Sequence, residues 1–91
     1  MLSILIGSDL LRLDKFLKVS RLIKRRTVAK EACEGNSVFL NGRNAKAATS
    51  VKIGDTIEII YGDRKLKVEV LFLSDKVKKD EAKEMYKILE V

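Results

Sequence analysis

Residues 12–26 read RLDKFLKVSRLIKRR, and the phase of their apolar side chains decides the fold of the N-terminal half. At the rotation of an α-helix, Leu13, Phe16, Leu17 and, one turn on, Ser20 fall within about 100° of one another. Lys15 and Lys18 lie on the opposite side, with Arg12 at the edge. The spacing predicts a short helix that is apolar on one face and basic on the other. A second helix is expected from about Arg26-Thr27, with Val28, Ala29, Ala32 and Cys33 inward and Lys30 and Glu31 outward. Gly35 is its expected stop, as the residue that enters the left-handed region without a steric cost.

Past Gly35 the period changes from helical to alternating. Ser37-Val38-Phe39-Leu40 reads as a strand, and Asn41-Gly42 is a strong hairpin signal because both central positions favour positive φ. Residues 51–55 form a polar bend ending in Gly54-Asp55, and Thr56-Ile57-Glu58-Ile59-Ile60 alternates. Tyr61-Gly62-Asp63-Arg64 makes a further turn, and Lys65 to Leu71 alternates strictly, apolar in and charged out. Lys76 to Leu89 is charge-rich, with Ala82, Met85 and Tyr86 at near-helical spacing, which predicts a short terminal helix. The fold class is therefore α+β: two short N-terminal helices packed on a small, mostly antiparallel sheet, then a short C-terminal helix.

Charge is distributed unevenly over this frame. The 91 residues hold 19 Lys and Arg against 13 Asp and Glu, a formal charge of +6. Residues 12–30 carry Arg12, Lys15, Lys18, Arg21, Lys24, Arg25, Arg26 and Lys30 against Asp14 alone, while residues 31–91 balance to zero. Solubility needs no such concentration, so it points to an anionic partner. The positive charge crowds the end of the first helix, the connection and the start of the second, which suits phosphate contacts from guanidinium forks and a helix N-terminus.

Composition excludes several chemistries. Histidine is absent, which removes imidazole catalysis and histidine-ligated metals. One cysteine forms no internal disulfide or cysteine-rich zinc site and suits a reducing cytosol, and Cys33 reads as a small buried residue. No apolar run approaches the roughly 18–20 residues of a membrane span. The opening Met1-Leu2-Ser3-Ile4-Leu5-Ile6-Gly7 has no basic lead and too short an apolar run for a signal peptide. Asp55 and Asp63 fall at turns, and no paired carboxylates, nucleophile–base pair or phosphate-cradling glycine loop can be assembled. The expectation is a small, soluble, cytoplasmic binding protein with no enzyme activity, no cofactor and no membrane partner. Its rival is a small DNA-binding protein, since two helices joined by a short turn resemble a helix-turn-helix. The second helix carries Lys30, Glu31 and Glu34 but no Asn or Gln to read bases. Shape-and-backbone recognition of folded RNA fits better.

The run Arg12-Leu13-Asp14-Lys15-Phe16-Leu17, then Arg26-Thr27-Val28-Ala29, Gly35 and Val38-Phe39-Leu40-Asn41-Gly42, resembles the alpha-L RNA-binding domain first described in small-subunit ribosomal protein four. Within that superfamily, RLDKFLKVSRLIKRRTVAKEA, NGRNAKAATSVKIGD and EAKEMYKIL are similar to the RqcP (YabO) family. That family is related to the heat-shock fifteen-kilodalton ribosome-binding protein. The resemblance implies a bacterial ribosome quality-control factor. It would bind large subunits obstructed by peptidyl-tRNA, contacting 23S rRNA and P-site tRNA while a partner factor adds a C-terminal alanine tail. A recycling or assembly factor of the heat-shock type is the alternative within the same fold.

Carried over by position, Arg12 and Arg26 would be phosphate ligands, with Lys15, Arg21, Lys24, Arg25 and Lys30 on the same basic surface. Turn geometry accounts for Asn41 and Gly42, while Lys46 is either a second RNA contact or simply exposed. Two departures stand out. Arg25 occupies the position where many such domains place a capping serine, and residues 1–11 have no counterpart. The expected organisation is an extension at 1–11, the RNA-binding domain at 12–75 and a helical tail at 76–91, in a monomer.

Overall fold

The computed structural model describes residues 11–74 and 77–91. Most of the N-terminal extension and Lys76, the expected start of the terminal helix, lie outside the described residues. A two-residue strand, β1 (Leu11–Arg12), leads directly into helix α1 (Leu13–Val19), and a loop carries the chain to helix α2 (Arg26–Glu34). Strands β2 (Val38–Leu40), β3 (Arg43–Asn44), β4 (Ser50–Val51), β5 (Thr56–Tyr61) and β6 (Arg64–Val70) follow. A 3-10 helix (Lys79–Met85) and strand β7 (Tyr86–Glu90) complete the fold.

The helical phase read from the sequence is the one that packs. Leu13, Phe16 and Leu17 are fully buried, as is Ser20 just past the helix. Each large side chain removed from water in this way contributes about 1.5–3 kcal/mol. Helix α1 is short because Arg21, just past its Ser20 cap, adopts a left-handed φ of 64°. Its N–H returns to the Lys18 carbonyl, and the Ile23 N–H to that of Leu17. Ile23 is buried and pins the loop, leaving Arg21, Lys24 and Arg25 exposed around it.

The sheet orders its five strands β3-β2-β5-β6-β7, every neighbour antiparallel, and β1 pairs separately with β4. Leu40, Ile57 and Val68 are register neighbours across β2, β5 and β6, and Val38 pairs with Ile59. This apolar row meets Phe16 and Leu17 of α1 and Ala29 and Cys33 of α2 in one core. Asn41 and Gly42 carry φ of 53° and 85°, the two positive values a tight hairpin requires. Asn41 does more than turn: its Oδ1 accepts the Thr56 N–H at 2.9 Å and its Nδ2 donates to Asp55 Oδ1 at 3.1 Å.

Three local expectations need correction. Gly35 is not left-handed, with φ −88° and ψ 11°. Asn36, at φ 65°, takes that role, its N–H bonding the Cys33 carbonyl and that of Ser37 the Ala32 carbonyl. Gly35 answers a different demand, because a Cβ there would lie 3.0 Å from the Glu31 carbonyl oxygen. Val28 faces solvent, 46% exposed, since it sits about 100° round the helix from Ala29 at the edge of a narrow stripe. The terminal helix stops at Met85 rather than Leu89 and is 3-10, a winding that places Ala82 and Met85, three apart, on one buried side. Tyr86 to Glu90 then becomes β7, because the unpaired edge of β6 offers a ladder of hydrogen bonds that local helical preference cannot match.

Candidate nucleic-acid interface

Strand pairing and helix initiation together place Arg12. Its partner across β1 and β4 is Ser50, and it is the N-cap of α1, with extended backbone at φ −63° and ψ 144°. The first N–H groups of α1 are taken by the neighbouring loop: that of Leu13 donates to the Thr49 carbonyl at 2.8 Å and that of Asp14 to the Ala47 carbonyl at 3.1 Å. Glu34 at the end of α2 holds the same loop by accepting the Ala47 N–H at 3.1 Å. The first two N–H groups of α1 are thus already engaged by the protein itself.

The N-terminus of α2 is open among the described residues. Arg25 is its N-cap and makes no side-chain cap, so the helix begins at Arg26 without the hydroxyl that a serine would supply. The first N–H with a helical acceptor is that of Ala29, bonded to the Arg25 carbonyl at 3.0 Å. Those of Arg26, Thr27 and Val28 precede it, and no acidic side chain occupies the first turn. The positive end of the helix dipole faces outward between cationic side chains.

A single buried carboxylate organises the two arginines. Asp14 is only 2% exposed, and it accepts from Arg12 twice, Nε to Oδ1 at 3.1 Å and Nη2 to Oδ2 at 3.2 Å. Arg26 Nε reaches Asp14 Oδ2 from the other side at 3.4 Å. Burial alone would push the Asp14 carboxyl up, yet hydrogen bonds and charge from Arg12 and Arg26 hold it below its ordinary value of 3.8. It therefore stays ionised and keeps both guanidinium groups in place. Each arginine leaves about half its side chain in solvent, 50% for Arg12 and 46% for Arg26. The two side chains border a shallow cleft of about 300 Å³ lined by Arg12, Asp14, Arg26, Thr27 and Lys30. The arrangement provides planar donors, an ammonium and helix N–H groups without a partner among the described residues, which together suit an oxyanion such as a phosphate.

The structure thus brings Arg12, Arg26 and Lys30 together. Arg21, Lys24 and Arg25 continue the positive surface along the exposed loop leading into α2, and Lys15 lies half-buried on α1. Lys46 does not line the cleft; its Nζ donates to Asn36 Oδ1 at 3.4 Å, past the far end of α2. Asp14 and Thr27 are the cleft residues that sequence reasoning passed over. For Asp14 a signal existed: the lone acid of the basic stretch stands about 60° from Leu17 on the wheel, within reach of the buried face. Cys33 is fully buried, and burial, with the negative charges of Asp14 and Glu34, pushes its thiol up to about 11. Among the described residues, no three His, Cys, Asp or Glu side chains converge as metal ligands.

The S4 domain profile matches residues 11–57, and with the fold it defines an RNA-binding module of that class. A trimeric structure of Vibrio cholerae heat shock protein 15 superposes with a TM-score of 0.81 at 33% identity, covering 89% of this chain and 83% of that one. The RQC P-site tRNA stabilizing factor of Bacillus subtilis is 52% identical over 79 residues, 87% of this chain and 92% of that protein. Its counterpart in Halalkalibacterium halodurans is 51% identical over 78 residues, 86% of this chain and 89% of that protein. The chain belongs to the RqcP family, free-standing S4-domain proteins whose curated members carry that name.

Proposed function

We propose that the protein is a non-catalytic, cytoplasmic factor of ribosome-associated quality control. It binds large ribosomal subunits obstructed by peptidyl-tRNA, contacts 23S rRNA and P-site tRNA, and so supports C-terminal alanine tailing by a partner factor. Residues 12–75 form the RNA-binding domain in this reading, and the protein acts as a monomer. The observation that carries it is the pair Arg12 and Arg26, both held on the buried Asp14 and half open beside the N-terminus of α2. This is a phosphate-binding geometry in a chain about half identical to proteins named for stabilising P-site tRNA. Arg21, Lys24, Arg25 and Lys30 extend it into a surface long enough to follow a folded backbone.

The test is co-sedimentation in about 100 mM salt, a strength at which phosphate contacts still carry binding. The particles compared are large subunits carrying peptidyl-tRNA, empty large subunits, small subunits and duplex DNA. Preference for the tRNA-bearing large subunit supports the reading. The fold shared with heat shock protein 15 favours a second reading, a factor that recycles large subunits, and equal binding to empty subunits would select it. Equal binding to all four would leave only a generic basic patch.

A further inference from the structure

Tyr61 ends β5, immediately before the Gly62-Asp63 turn. Its hydroxyl donates to the carbonyl oxygen of Leu22 at 3.4 Å, joining positions 39 residues apart. Leu22 lies in the α1–α2 loop, with exposed Arg21, Lys24 and Arg25 around it, and that loop runs directly into Arg26. Burial, and to a lesser degree Tyr86, raises the pKa of the phenol, so the hydroxyl remains a donor at neutral pH. Tyr61 is partly covered and still 43% exposed, more open than the other described aromatics: Phe16 is buried and Phe39, Phe72 and Tyr86 are half-buried. A residue serving only to latch the loop has no need of that exposure. A partly exposed ring tethered at its hydroxyl to a loop that carries three exposed cations has the components that an unpaired base with flanking phosphates requires.

We propose that Tyr61 and the basic loop at 21–25 form a stacking site for an unpaired nucleobase of the bound RNA. The site extends the interface from the Arg12–Arg26 cleft onto the end of the sheet. The tether to Leu22 orders the ring before binding, so less conformational freedom is lost when a base stacks. Arg21, Lys24 and Arg25 take the phosphates on either side of that base. The proposal rests on the RNA-binding reading and adds to it a preference for unpaired over fully paired segments.

The probes are a hairpin RNA with an unpaired loop and a blunt RNA duplex of equal length. Tyr61→Ala is expected to weaken hairpin binding about tenfold, the loss of one stacked base, and duplex binding by less than about twofold. Tyr61→Phe keeps the ring and should stay within about threefold of the parent on both RNAs. In a second readout that needs no variant, 5-iodouridine in the hairpin loop is irradiated on the unaltered protein, and the adduct is expected on the peptide holding Tyr61. Equal losses on hairpin and duplex for Tyr61→Ala, or an adduct confined to other peptides, would overturn the stacking site while leaving RNA binding intact. If the unaltered protein bound neither RNA, the functional reading would fall and the stacking site with it.

Discussion

Asp14 and Arg26 stand twelve positions apart on different helices, yet Arg26 Nε donates to Asp14 Oδ2 at 3.4 Å while Arg12 occupies the same carboxylate as a fork. One buried acid therefore sets the separation and orientation of two cations on the surface. A phosphate meets donors already arranged, and little side-chain entropy remains to be lost on binding.

Replacing that acid tests the arrangement. Asp14→Asn should lower stability by about 1–2 kcal/mol at pH 7, the low end for a charged buried hydrogen-bond acceptor because its half-exposed partners are screened by solvent. The Asp14 pKa is lower in the folded chain than its ordinary 3.8, so the folded state binds fewer protons in that range. Its contribution is complete above about pH 5 and fades as the pH falls through the folded value. Denaturant melts of the two proteins should converge in acid. A constant difference down to pH 2 would show that Asp14 acts by shape and not by charge.

Arg12→Ala and Arg26→Ala should each weaken RNA binding by about 1–3 kcal/mol while the domain stays folded, because Asp14 keeps its other partner. Each should also reduce the slope of log affinity against log salt by about 0.7–0.9, one phosphate contact. Arg26→Lys should recover only part of the loss, since an ammonium has no fork to divide between Asp14 and a ligand. Circular dichroism alongside filter binding decides it: an unfolded Arg12→Ala or Arg26→Ala would mark these residues as structural.

Arg21 holds a backbone shape that favours glycine. Arg21→Gly should raise stability by about 1 kcal/mol, the cost of a left-handed turn for an L side chain. The same change removes an exposed cation and should reduce RNA affinity and its salt slope. Thermal melts and binding isotherms should therefore move in opposite directions, and a destabilised variant would show that the guanidinium supports the loop.

Leu17→Ala removes a fully buried side chain from the junction of α1 and the sheet, and should cost about 2–4 kcal/mol. Binding should fall only in proportion to the unfolded fraction. Affinity loss under conditions where the variant is fully folded would assign Leu17 to the interface.

Cys33, with its thiol raised to about 11, should resist alkylation at pH 8 in the native protein and react at the rate of a free thiol in denaturant. Rapid native labelling would mean that α2 opens readily from the core.

Much of this was legible locally. The phase of Leu13, Phe16 and Leu17, the Asn41-Gly42 turn and the alternation through β5 and β6 are properties of neighbouring residues, and they pack as their periods predict. Helix and strand ends were less legible, because their outcome depends on contacts from afar. Gly35 and Asn36 both tolerate a hairpin-like φ, and the hydrogen bonds after Glu34 select Asn36. Tyr86 to Glu90 has helical neighbours, yet a vacant β6 edge captures it as a strand.

By itself the sequence determined where charge and apolar surface reside: cations concentrated in residues 12–30, core side chains at helical and then alternating intervals, and no chemistry for histidine or paired thiols. These follow from composition and period, which are local. Only the tertiary structure decided that Asp14 is buried, that two arginines converge on it, and that the first N–H groups of α1 are engaged while those of α2 have no partner among the described residues. The reason is geometric. Hydrogen bonds and ion pairs depend on ångström distances between residues remote in the chain, and those distances exist only once helices, loop and sheet share one core.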